Sequence, residues 1–487
     1  MNIKDLKSGT DIRGIAIGEC ANLTIDAAKR LAAAFTVFVL NKKDNNKSLR
    51  ISIGHDSRLS ADNISEAAIE GLMLNSDEVY FCGLSSTPAM FMTTVLNGCD
   101  GAIMLTASHH PKNRNGFKFF TKDGGISKAD LDQIVEIAEK LVFARDFIVS
   151  KSCMVVKKDF LEDYCAFMRD YFIGELRHNE PLKGYKIAVD AGNGAAGFYA
   201  TRILGPLGAD ISSSQFLKPD GNFPNHVPNP EDKDAIESIS KRVVDTKSDL
   251  GIIFDTDGDR SAIVLKNGKE INRNRLIALA AAIIIEENKE KQAPIIVTDS
   301  ITSEGLKDFI SKLGGIHIRY KRGYQNVIGY AKKLHSEGNN APLAIETSGH
   351  AALKENFYLD DGAYLAAKLL IKAIKLKREG KDLDYLIKDL KEPKEEKIFR
   401  LDLVGQDWKK TGDNVLKALE KLGHKYKVAE DSFEGIRIYL EGGFLQARMS
   451  VHDPVLAINI ESDNEGGAEK IEKILFQVLH GIEGLII

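Results

Sequence analysis

Short apolar runs closed by polar or glycine-rich turns alternate along this chain with longer segments whose apolar residues recur every three to four positions. RISIG (50–54), EVYFCG (78–83) and GAIMLT (101–106) read as strands. NISEAAIEGLML (63–74) reads as a helix. ISKADLDQIVEIAEKLVF (126–143) opens with a capping box, Ser127 to Asp130, and its apolar residues fall at 131, 134, 135, 138, 141 and 142. That spacing puts them on one helical face.

The pattern then restarts. KIAVD (186–190) is strand-like, and AGNGAAG (191–197) is a glycine-rich turn leading into a helix. DLGIIF (249–254) and SAIVL (261–265) are strands, the second ending in a turn at Asn267-Gly268. A third round runs through NRNRLIALAAAIIIEEN (272–288), PIIVTDS (294–300) and LAIETSGH (343–350). The charged KDLKEPKEEK (388–397) reads as a solvated linker. EGIRIYLEGGFLQARMS (434–450) follows as a hairpin turning at Gly442-Gly443, and AEKIEKILFQVL is a closing amphipathic helix. This alternation predicts an α/β chain of three α/β domains with mixed sheets and a smaller C-terminal α+β domain. We place them at 1–150, 151–272, 273–392 and 393–487.

Composition narrows the class. The chain has 487 residues, 43% of them apolar, with 66 Lys and Arg against 70 Asp and Glu, a net charge of -4. The charges are mixed, which argues against a nucleic-acid footprint. No apolar run is long enough to span a bilayer. The N-terminus, MNIKDLKSGTDIRG, has no apolar signal core. Five cysteines, at 20, 82, 99, 153 and 165, form no CxxC pair and read as free thiols of a reducing compartment. A soluble cytoplasmic protein without membrane or nucleic-acid partners is the expectation.

Four stretches carry chemistry. TASHHPKNRNG (106–116) places Ser108, histidines and cations after an apolar strand, a set that handles phosphate. FDTDGDRSA (254–262) puts Asp255, Asp257 and Asp259 at alternate positions. In extended chain they share a face, and three hard oxygen ligands suit Mg²⁺. An EF-hand is a poor match, because it needs glycine at its sixth position and glutamate at its twelfth, which are Arg260 and Lys266 here. A haloacid-dehalogenase-type phosphatase, whose phosphate would sit on Asp255, wants threonine or valine where Asp259 stands. ETSGH (346–350) offers hydroxyl-binding groups. ARMSVHDP (447–454) alternates Arg448, Ser450 and His452, donors suited to an oxyanion.

Taken together and in order, these stretches resemble the α-D-phosphohexomutase family, the phosphoglucomutases and phosphomannomutases. TASHHP, DTDGDR, ETSGH and RMSVHDP are similar to its phosphoserine, metal, sugar and phosphate loops. DIRG (11–14), DAGNG (190–194) and DGNFPNHVPNPE (220–231) are familiar from it too. The resemblance spans about residues 9 to 461. It implies a heart-shaped fold with one loop from each domain facing a central cleft. It further implies interconversion of hexose 1-phosphate and hexose 6-phosphate, of glucose or mannose, through a phosphoserine enzyme and a hexose 1,6-bisphosphate. Phosphoglucosamine turnover and a non-catalytic sugar-phosphate binder are the alternatives. Ser108 matches the phosphorylated serine, and Asp255, Asp257 and Asp259 match the Mg²⁺ ligands, with Ser108 beside the metal. Glu346, Ser348 and His350 match sugar contacts, and Arg448 and Ser450 the clamp for the phosphate not transferred, with His452 as a third donor. Arg13, His109, Lys118, Arg260 and Lys321 match active-site positions, Lys118 and His109 supplying positive charge or proton transfer. His110 stands where asparagine is usual, and His452 and Asp453 where threonine and glutamate are usual.

Overall fold

Four strand systems organise the described residues, and strands Gly101–Leu105 and Leu250–Phe254, which precede two of the chemical loops, are buried along their whole length. The structure, a computed structural model, describes residues 2–43, 48–141, 153–288, 292–405, 407–430, 432–450 and 454–486. These pack as two compact units, Met1–Leu276 with Ser348–Leu383, and Ile277–Thr347 with Asp384–Ile487.

In the first unit, strands Gly101–Leu105, Arg50–His55, Glu78–Leu84 and Met154–Lys157 lie parallel as neighbours. Arg114–Thr121 pairs antiparallel with Gly101–Leu105, and Asp11–Ile15 antiparallel with Arg114–Thr121. All five residues of Gly101–Leu105 are buried, as an apolar run between covered faces requires. Helices Ile25–Lys42, Ala61–Leu72 and Lys128–Lys140 share this core. The second helix begins and ends two residues earlier than the pattern 63–74 suggested. The third opens with the expected reciprocal capping box of Ser127 and Asp130. Leu131, Ile134, Val135 and Ala138 are buried along its face and Leu141 packs beside them, while position 142 lies outside the described residues.

A second sheet in the same unit sets Ile187–Asp190 parallel to Leu250–Phe254, with Ser261–Leu265 antiparallel on the other side. The glycine-rich turn after Asp190 leads into a π-helical segment, Tyr199–Leu204, with Gly205 N donating to Ala200 O at 2.9 Å, and not into an α-helix. Crowding explains the tight entry. A Cβ on Gly194 would collide with the Thr256 backbone, and Ala195 N already donates to Thr256 O at 2.7 Å.

The second unit holds parallel strands Ile316–Tyr320, Ile295–Asp299 and Leu343–Ile345. It also holds an antiparallel sheet in the order Glu395–Asp402, Val455–Ser462, Gly443–Met449, Ile436–Leu440, Lys427–Val428. Helices Trp408–Glu420 and Gly467–Leu479 cover that sheet. Two expectations shift here. The end of the charged stretch 388–397 is the start of the edge strand Glu395–Asp402, along which exposed positions alternate with more buried ones. The hairpin turns at Glu441-Gly442, both at positive φ, one residue before the expected pair, because a two-residue turn needs that conformation at both central positions.

Ser108, Asp255 and Glu346 each follow the C-terminal end of a parallel strand, where α/β folds place ligands. No helix among the described residues is long and apolar enough to cross a membrane.

Candidate active site

The loop after Gly101–Leu105 is built to present one hydroxyl. Thr106 Oγ1 accepts a hydrogen bond from Ser108 N at 2.8 Å, and the Thr106 carbonyl accepts one from Arg13. Arg13 is itself paired with Asp11 at 2.7 Å. Ser108 adopts a left-handed backbone, φ +48°, which a residue with a Cβ enters at a cost. Its Oγ lies 3.0 Å from Asp255 Oδ2 and donates to it.

Asp255, Asp257 and Asp259 are fully buried and bring ligand atoms within 4.8 Å of one another. They converge through a tight turn with Gly258 at φ +76°, not through the alternation of an extended strand that the sequence suggested. The turn folds back because Asp255 Oδ1 accepts Gly258 N at 3.0 Å and Arg260 N at 3.2 Å. Lys118 Nζ, from strand Arg114–Thr121 of the first sheet, donates to Asp257 Oδ2 at 2.9 Å and to Asp259 Oδ2. Thr87 Oγ1 also donates to Asp257 Oδ2, at 2.5 Å. Burial would raise the Asp257 carboxyl, but Lys118 and Thr87 outweigh it and hold it below its ordinary range. Asp255 goes the other way. Burial, then repulsion from Asp259 and Asp257, pushes it up to about 8 against Arg260 and Lys118. Oδ1 of Asp257 and Oδ1 of Asp259 are buried without a hydrogen-bond partner among the described residues. Three hard oxygen donors, two of them with such orphaned atoms, fit a divalent cation.

Cations close the other side. Arg260 Nε donates to Asp255 Oδ2 at 3.1 Å, and its NH2 lies 2.8 Å from His109 Nδ1 and 3.4 Å from Ser108 Oγ. Because a guanidinium only donates, His109 Nδ1 accepts and the proton sits on Nε2. Burial first, then Arg260, His110 and Arg13, press His109 down to about 2. His110 is likewise lowered, to about 4, by burial and then Arg13. The charged histidine is His350. Burial would lower it, but Asp360 and then Asp259 raise it to about 9, with Nδ1 2.6 Å from Asp360 Oδ2. Ser348 is buried in this unit as well.

In the second unit, Arg448 is the penultimate residue of the strand Gly443–Met449, with its Nε 3.8 Å from Glu434 Oε1. That Nε has no hydrogen-bond partner among the described residues. Burial holds the Arg448 guanidinium below its ordinary range despite Glu434. Glu434 Oε1 also accepts Ser300 Oγ and, at 3.0 Å, Arg322 N. Gly323 N donates to Glu346 Oε1 at 2.6 Å, from a glycine at φ +114°. Lys321 is exposed just past the strand Ile316–Tyr320, and Ser450 N donates to Val455 O at 2.8 Å. His452 lies outside the described residues. Thr87, Asp360, Arg322 and Glu434 were missed in the sequence. Thr87, Arg322 and Glu434 carry no local signal, since their partners lie far along the chain, and Asp360 lies ten residues from His350, a separation that no helical or strand period marks.

Three family models match: "Phosphoglucomutase/phosphomannomutase, alpha/beta/alpha domain I" over residues 5–145, domain II over 162–268 and domain III over 272–393. A phosphoglucomutase of Neisseria gonorrhoeae is 28% identical over 489 residues, covering 99% of this chain and 98% of that one. A phosphomannomutase of Methanocaldococcus jannaschii is 31% identical over 444 residues, covering 89% and 90%. Among solved structures, a phosphoglucomutase/phosphomannomutase family protein from Burkholderia thailandensis aligns over 100% of both chains with a TM-score of 0.80 at 26% identity.

Proposed function

The chain belongs to the phosphoglucomutase/phosphomannomutase family and is a phosphohexomutase, and on that premise we propose that Ser108 carries the phosphoryl group between the two ends of the sugar. One observation carries the assignment. Ser108 Oγ, held at the end of a buried strand, lies 3.0 Å from Oδ2 of a carboxylate within a buried triad.

In the reaction, phosphoserine gives its phosphoryl group to the free hydroxyl of a hexose 1-phosphate. The Oγ–P bond breaks, a P–O bond to the sugar forms, and the hydroxyl proton ends on the freed Ser108 Oγ. The hexose 1,6-bisphosphate then offers its other phosphate. That P–O bond breaks, Ser108 Oγ is phosphorylated again, a proton returns to the freed sugar oxygen, and hexose 6-phosphate departs. Arg260 offers a fixed charge 3.4 Å from Ser108 Oγ. Lys118 holds two of the carboxylates, and His350 stands charged beside Asp259. Asp255, Asp257 and Asp259 are the residues that would hold Mg²⁺, with Ser108 next to it. Such an ion neutralises charge on the transferring phosphoryl oxygens.

Arg448 and Ser450 are our candidates for the phosphate that stays on the sugar, with His452 as a third donor. Glu346, Ser348 and His350 are those for its hydroxyls, and Lys321 and Arg13 complete the set. Each loop falls in one of four domains, at 1–150, 151–272, 273–392 and 393–487. Turnover of glucose and mannose 1-phosphates, with and without glucose 1,6-bisphosphate, tests the reading. Activation by the bisphosphate supports it, and release of inorganic phosphate instead of hexose 6-phosphate sinks it.

A further inference from the structure

Arg58 stands outside the carboxylate and cation group around Ser108, yet it grips the serine's loop at four points. Its NH1 donates to the carbonyls of Pro111 at 2.8 Å and Arg114 at 2.9 Å. Its NH2 donates to the carbonyls of His110 at 2.7 Å and of Ser108 itself. The guanidinium is fully buried, and so is its counter-ion Asp56, whose Oδ2 lies 3.3 Å from Arg58 Nε. Asp56 Oδ1 accepts Arg58 N at 3.0 Å, so the carboxylate also fixes the backbone from which the side chain springs. Only a planar, multi-donor group can serve four carbonyls at once, and a lysine has neither the fork nor the donor count.

The grip answers a need. Ser108 sits at φ +48°, a conformation that persists only where the surroundings over-determine it. Its carbonyl is one of the four that Arg58 holds. The same arginine touches the chain segment that backs the acidic turn. The Phe223 ring lies 5.6 Å from its guanidinium carbon, and Gly221 packs so closely on Ser57–Leu59 that a Cβ there would collide with their backbone. Asp220 N and Asn225 Nδ2 in turn donate to Asn193 at 2.9 and 2.7 Å. Two residues on, Ala195 N donates to Thr256 O of the acidic turn. Contacts thus run unbroken from the serine loop, through Arg58, to the turn that bears Asp255.

We propose that Arg58, charge-balanced by Asp56, is a positioning residue that sets the place of Ser108 Oγ against Asp255. The proposal rests on Ser108 as the carrier. A carrier that must both give and take phosphate needs its oxygen in register for two transfers, and a misplacement of about 1 Å can cost about 10²-fold in rate.

The test is R58K, with D56N beside it, in the full chain. Phosphate on Ser108 is first measured in the parent by intact mass after incubation with glucose 1,6-bisphosphate. Its absence sinks the carrier assignment, and with it the premise of this proposal. With the parent phosphorylated, folded R58K should lose about 10²-fold in kcat with KM for glucose 1-phosphate little changed. Ser108 phosphorylation should slow in parallel, and Mn²⁺ affinity should stay the same. A merely structural role would lower activity only in proportion to unfolded protein. Wild-type kcat in folded R58K overturns the proposal. Should R58K fail to fold, D56N decides, since it keeps the four-point donor and removes its counter-charge. Reduced kcat at unchanged KM in D56N supports the proposal, and unchanged kcat overturns it.

Discussion

His350 Nδ1 lies 2.6 Å from Asp360 Oδ2, and that carboxylate makes His350, and not His109, the charged histidine of the site. Asp360 also accepts Ala351 N at 3.1 Å, so it fixes the ring's backbone as well as the ring. A hydrogen bond to a charged group is worth roughly 1.5–3 kcal/mol. Asp360→Asn should therefore lower kcat/KM by about one to two decades. Thermal unfolding should confirm that the variant is folded. A folded Asp360→Asn enzyme with parental kcat/KM would show that the pair is dispensable.

The acidic turn should depend on a divalent cation. Asp257→Asn and Asp259→Asn each remove a ligand with an orphaned buried oxygen. Each should weaken metal binding and lower turnover by orders of magnitude, since the ion supplies several kcal/mol to the transfer. Chelator should silence the parent, and added Mg²⁺ should restore it. Calorimetric titration checks the affinity apart from activity.

Arg448→Ala should affect rate as well as binding. Loss of a charge-assisted pair costs roughly 1.5–3 kcal/mol, and binding energy from a phosphate that does not react helps to position the hydroxyl that does. Both kcat and KM should worsen, together by about one to two decades in kcat/KM. Phosphorylation of Ser108 by a small donor with a single phosphate should change much less. Steady-state kinetics beside single-turnover labelling separates the two.

A stability prediction lies away from the chemistry. His226 Nε2 is 3.0 Å from Asp190 Oδ2, with both side chains almost fully buried. Burial would lower His226, but Asp190 outweighs it and raises the imidazole above its ordinary value. A raised folded pKa means that the pair's stabilisation is fully present below the unfolded value, about 6.5, and fades as pH climbs through the folded one. The melting temperature of the parent should fall toward that of His226→Gln as pH rises from about 6.5. A gap that stays constant with pH would rule the pair out as a source of that stability.

What the sequence made legible was local. Ser108, the three aspartates and the strands before them stand out because apolar runs and the residues that close them are neighbours in sequence. The capping box of Ser127 and Asp130 was legible for the same reason. The way the aspartates converge was not, because the turn depends on Gly258 at positive φ and on backbone donors, neither of which alternation encodes. Nor was the charge on the histidines. His109 is neutralised beside an arginine 151 residues away, and Thr87 meets Asp257 across 170. Arg58 reads as an ordinary arginine in GHDSRLS until the fold brings four carbonyls to it.

The central claim is that phosphate travels on Ser108, and intact-mass analysis with site localisation tests it most directly. After incubation with a hexose 1,6-bisphosphate, the parent should carry one phosphate, located on Ser108. The label should be lost on adding hexose 1-phosphate, and Ser108→Ala should carry none and turn over no substrate. Phosphate found on Asp255, or mutase turnover by Ser108→Ala at the parental rate, would contradict the account.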